Sequence, residues 1–131
     1  MPAAEANRRS PRETFEYAVI RLVPRVERGE SINVGVVLYS QQHGYLDCRI
    51  LLRPDRLLAL DPRADPAVAA KALTVLAENC RRGGPGTQSL GERFRWLTAP
   101  RSTIVQPGPV HSGLTDDPAA VLEHLFDELV R

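Results

Sequence analysis

Lysine is almost missing from this chain. Lys71 is the single one, so sixteen of the 17 basic side chains are arginine. Arginine grips carboxylates and phosphates through paired N–H bonds that lysine cannot form. The bias therefore permits oxyanion recognition, although the Ala-, Arg- and Pro-rich coding of a GC-rich genome is the plainer reading. An excess of charge is missing too. With 16 acidic side chains the net charge is +1, which gives no overall field to steer nucleic acid or an anionic membrane. Aromatics make up only 5%, so a core has to be built from Leu, Val, Ile and Ala. The two cysteines, Cys48 and Cys80, are too few for a disulfide scaffold and lack the paired spacing of a zinc site. Both read as small core residues, and no metal or cofactor is expected. No apolar run approaches the roughly 20 residues of a membrane span, and none follows the N-terminal charges as in a secretory signal. A cytoplasmic protein of bacterial type is the expectation.

What remains is enough for one domain: 131 residues, 43% of them hydrophobic. Residues 1–12 are polar and proline-containing and read as a disordered N-terminal tail. Residues 13–131 read as a single α+β domain. Thr14 to Val23 and Ser31 to Ser40 are rich in strand formers, and the charged link Arg25 to Glu30 carries Gly29, suited to positive φ. A third strand, Tyr45 to Arg53, follows the Gln41 to Gly44 turn. Links this short make the three an antiparallel meander.

Helical signals then take over. Pro54 opens a short helix through Leu60. Asp65-Pro66 opens another, with Ala69, Leu73, Leu76 and Cys80 at helical spacing until Gly83-Gly84. Arg81 to Gln88 reads as a loop. Ser89 to Glu92 matches a capping box for a helix through Leu97, which Pro100 stops. Ser102 to Gln106 reads as a fourth strand at the sheet edge, and Pro107 to Thr115 as a Pro/Gly-rich loop. Asp117-Pro118 starts a closing helix whose apolar face is Val121, Leu122, Leu125, Phe126 and Leu129. Strands first and helices later predict an antiparallel sheet of three to four strands, with three or four helices packed mainly on one face.

Three segments contain residues able to carry chemistry. In the first, Glu30 and Asn33 lead into a strand interrupted by Gly35, and glycine inside a strand marks a bulge or a close approach. Glu30 is a candidate acid/base and Asn33 a ligand contact; the plainer reading pairs Glu30 with Arg25 or Arg28. In the second, Arg101, Ser102 and Thr103 offer a guanidinium fork with two hydroxyls for a phosphate or carboxylate. Trp96, nearby, reads as a core anchor. In the third, Gln106 to Thr115, His111 is a candidate general base, since its free pKa of about 6.5 suits neutral pH. A loop-bracing histidine is the plainer alternative. No phosphate loop, nucleophile elbow or zinc pattern occurs, so an enzyme is less expected than a binding module.

Two stretches resemble a known family. They are Tyr17 to Pro24 with Glu30 to Leu38, and Phe94 to Thr103 with Gln106, Val110 to Leu114 and Asp117-Pro118. They are similar to the uncharacterised bacterial family called domain of unknown function 3037, over nearly the whole chain after Arg12. The family's motifs fall on Glu30, Asn33, Gly35, Arg101, Ser102, Gln106 and His111. The resemblance implies a short stand-alone protein without an established activity. Some relatives are encoded beside proteins resembling HipA-type kinases, which implies a protein partner, kinase-like in kind. The expected function is a non-catalytic binding or regulatory module docking such a partner. The alternatives are an enzyme or sensor for a phosphorylated or anionic ligand held by Asn33, Arg101, Ser102, Thr103, Gln106 and His111, and, less expected, nucleic-acid binding. A homodimer through an exposed edge strand is left open.

Overall fold

The run from Val34 to Tyr39 has no polar member, and a strand without alternation has to be covered on both sides. The structure, a computed structural model, describes residues 11–83, 89–101 and 103–131 and explains that run. Strand β2 (Ile32–Ser40) lies between β1 (Glu13–Leu22) and β3 (Tyr45–Ile50), all antiparallel. Val34, Val37 and Tyr39 point to one face of the sheet, Val36 and Leu38 to the other, and all are buried. Three helices cover the first face: α1 (Pro54–Leu60), α2 (Pro66–Arg82) and α3 (Leu90–Leu97). The closing helix α4 (Pro118–Leu129) covers the second face with Leu122 and Phe126. The fold is α+β with helices mainly on one face.

Two further strands complete a five-stranded sheet, one more than the sequence predicts. Both β4 (Val105–Pro107) and β5 (His111–Thr115) pair antiparallel with the outer edge of β1, at its C-terminal and N-terminal ends respectively. The fourth strand is Val105–Pro107, without the Thr103 and Ile104 that the sequence reading from Ser102 to Gln106 included, and the segment read as a Pro/Gly loop contains β5. Gly108 N donates to Val19 O at 2.7 Å. By alternation the Pro107 nitrogen faces outward, where its missing N–H costs nothing. Gly108, Pro109 and Val110 then stand opposite only Ala18 and Val19, a bulge that resets the register before β5.

The helix starts are where the sequence puts them. Asp65 Oδ1 accepts from Ala67 and Val68 N, Ser89 Oγ from Glu92 N, and Asp117 Oδ1 from Ala120 N. Each satisfies an orphan N–H of a first turn. Arg81 and Arg82 are helical rather than loop residues, and Gly83 ends the helix; residues 84–88 of that loop reading, and most of the tail reading, residues 1–10, lie outside the described residues. The link between β1 and β2 turns at Gly29 (φ 71°), as its glycine predicts. Gly35 marks both a register shift against β1 and a close approach. A Cβ there would lie 2.8 Å from the Arg49 carbonyl oxygen and 2.5 Å from Ile50 Cδ1. Among the described residues, no helix is long and apolar enough to cross a membrane.

Candidate functional site

The sheet separates the sequence-derived candidates onto different surfaces. Glu30 pairs with Arg28, and Arg25 with Glu27 at 3.0 Å, so the charged link between β1 and β2 satisfies itself on the surface. That pairing raises the Arg28 pKa. The Glu27 carboxyl is held below its usual range, first by a backbone N–H and then by Arg25. Asn33 lies on the α4 side of the sheet. Its Nδ2 donates to the Leu129 carbonyl at 3.0 Å and Arg56 Nη1 donates to that of Val130 at 3.2 Å. Between them they satisfy two of the carbonyls left open at the C-terminal end of α4.

His111 and Gln106 are on the α4 side as well. Paired residues of neighbouring strands share a face, and His111 stands opposite Tyr17, with ring centroids 5.3 Å apart. Gln106 stands opposite Arg21, and Nε2 of Gln106 donates to the Thr103 carbonyl at 2.9 Å. Arg21 is a residue that sequence reasoning missed. Its guanidinium lies along Gly108, so close that a Cβ there would sit 3.1 Å from Nη2. Asn33, Arg21 and Gln106 thus form one cross-strand row. Only the register reveals it, because the three lie far apart in the chain.

Arg101 and Thr103 belong to the opposite side, beside α2 and α3. Thr103 Oγ1 donates to the Val105 carbonyl at 2.9 Å. Arg101 stacks on Trp96 (4.3 Å from Cζ to the ring centroid) and donates to the Trp96 carbonyl. Burial lowers the Arg101 pKa. The expected role of Trp96 is corrected here: it is 46% exposed, while Phe94 and Leu97 are fully buried. Phe94 and Leu97 are three apart and share a helix face, and Trp96 lies between them in sequence and off that face. Ser102 lies outside the described residues. Trp96, Arg101 and Thr103 line a cleft of about 320 Å³ with Val75, Leu76 and Ile104. Neither Glu30 nor His111 lines this cleft or the other two described ones. The three candidates Glu30, Arg101 and His111 are not brought together in any of these.

The structure instead joins residues that spacing kept apart. Cys48 on β3 and Cys80 on α2 are both fully buried, and their sulfurs lie within 4.8 Å of each other and of an Asp47 carboxylate oxygen. A hydrogen bond from Cys80 lowers the Cys48 pKa, helped by the Arg81 guanidinium. Holding the shared proton and being buried push the Cys80 thiol up. Asp47 Oδ1 also accepts from Cys48 N at 2.8 Å, while Arg81 contacts Asp47 and the Cys48 carbonyl, each at 3.4 Å. By alternation from the Leu51 N to Val34 O bond, the Cys48 N–H and C=O point away from β2. Asp47 and Arg81 thereby cover the middle of the free edge of β3, which blunts it against pairing with another chain.

These features define a class: a five-stranded antiparallel sheet with three helices on one face and one on the other, carrying an apolar cleft with a stacked Trp–Arg pair. The family model for proteins of unknown function (DUF3037) matches residues 17–130, and the chain belongs to that family. No curated protein and no solved structure matches it.

Proposed function

We propose that this protein is a binding or regulatory module that docks a protein partner through the outer surface of α2 and α3. The observation that carries the reading is the exposure of Trp96 at the rim of the 320 Å³ cleft, in a domain with one tryptophan. Val75 and Val68, 50% and 56% exposed, continue the apolar surface along α2. Large aromatics and arginine are the side chains that anchor interfaces, and contiguous exposed apolar surface marks a contact site. Arg101 has no carboxylate partner among the described residues, so its guanidinium retains donors for an acidic group. The occupant that fits is an apolar side chain flanked by a carboxylate. The separation of Glu30, Arg101 and His111 weighs against a single acid/base centre or a phosphorylated-ligand site made from all three. The kinase-like proteins implied by the family's gene neighbours are the first partners to test.

Affinity capture from the native host, with the full chain as bait, is expected to retain a specific partner. Trp96→Ala and Arg101→Ala are each expected to weaken its binding at least about tenfold, in keeping with hot-spot behaviour. The melting temperature of both variants should stay near the wild-type value. No specific partner, or a partner held equally well by both variants, overturns the reading.

A further inference from the structure

Three ligand atoms no more than 4.8 Å apart always share a point within about 2.8 Å of each, the largest separation divided by the square root of three. Zinc bonds thiolate sulfur at about 2.3 Å and carboxylate oxygen at about 2.0–2.2 Å. A side-chain adjustment of about half an ångström therefore closes the gap for the Asp47 carboxylate and the Cys48 and Cys80 sulfurs. We propose that Asp47, Cys48 and Cys80 form a site for one thiophilic divalent cation of the zinc class, where β3 meets α2.

The surroundings support this assignment. Two thiolates and a carboxylate bring three negative charges against two positive ones, and Arg81 offsets the remainder while holding Asp47 in place. Such an outer contact is what orients a ligating carboxylate. Oδ1 of Asp47 takes the bonds from Cys48 N and Arg81, and its second oxygen has no partner among the described residues. Both sulfurs are buried, so the cation reaches them from the Asp47 side, where that side chain is 41% exposed. Arg49, Ala77 and Arg81, neighbours of the two cysteines along strand and helix, line a cleft of about 560 Å³ beside the cluster. With three protein ligands the fourth position would be left to solvent, the open position that distinguishes such sites from closed structural ones. The inference is independent of partner docking, because the cluster shares no residue with the Trp96 cleft.

The test uses the full chain, kept reduced and titrated with cadmium as a spectroscopic stand-in for zinc. One cadmium ion per chain is expected, with an ultraviolet thiolate-to-cadmium charge-transfer band that zinc displaces. Cys48→Ser and Cys80→Ser should each abolish the band. Asp47→Asn, at a half-exposed position that leaves the core untouched, should weaken binding by roughly tenfold or more. Excess zinc should raise the melting temperature of the wild type but not of the serine variants. Absence of the band in the folded protein overturns the proposal. So does a band that survives either serine substitution, or unchanged affinity in Asp47→Asn.

Discussion

An α-helix turns about 100° per residue, so neighbouring positions on α3 meet different environments. Phe94 packs against Tyr39, centroids 5.3 Å apart, inside the larger core cluster. Trp96 meets solvent and Arg101. Phe94→Ala is expected to destabilise the fold by about 3–5 kcal/mol, while Trp96→Ala costs no more than about 1 kcal/mol; urea unfolding of the two variants measures the contrast. The single tryptophan thus reports a surface, and its fluorescence should follow partner binding more than core packing. Tyr45 supplies a second residue-level test. Burial, followed by the nearby Asp47 charge, pushes its phenol up to about 12, above the ordinary value near 10. The folded state therefore favours the neutral ring. That contribution is fully present below about pH 10 and disappears as pH rises through about 12. Tyr45→Phe should flatten the alkaline loss of stability in that window, as followed by circular dichroism.

Helix ends show most clearly which elements could be read from sequence. The N-caps Asp65, Ser89 and Asp117 act on N–H groups two or three residues away, so a local pattern is sufficient to find them. The C-terminal end of α4 is satisfied by Asn33, 96 positions distant in the chain. No local signal encodes that contact, and Asn33 read as a ligand contact for want of a visible partner. Asn33→Ala should destabilise the protein by about 0.5–1.5 kcal/mol, the usual worth of one hydrogen bond. Faster hydrogen exchange confined to the last turn of α4 should accompany it. Strand β5 was hidden for a related reason. Its Pro- and Gly-rich approach has the composition of a loop, and only the register against β1 makes it a strand.

At the scale of the molecule, the order of elements apart from β5 was legible, because strand alternation, caps and prolines are local. The grouping of candidate residues was not, because faces are assigned by pairing. Asn33, Gln106 and His111 came to one side of the sheet, with Arg21 unforeseen among them, and Arg101 and Thr103 to the other. Cys48 and Cys80 read as separate small core residues, and both are buried, yet the packing of α2 over β3 also makes them neighbours. The same pairing has a consequence for how the chain is made. β1 is synthesised before the strands that close its outer edge, which begin only at Val105, about 80 residues later. At ribosomal speeds of roughly 5–20 residues per second, that edge stays open for roughly 4–16 seconds. Through that interval the half-built sheet has the β2 partner of β1 but not the partners of its outer edge. Closure of the sheet therefore waits for the last two strands to be synthesised, which makes its completion a late event in the life of the chain.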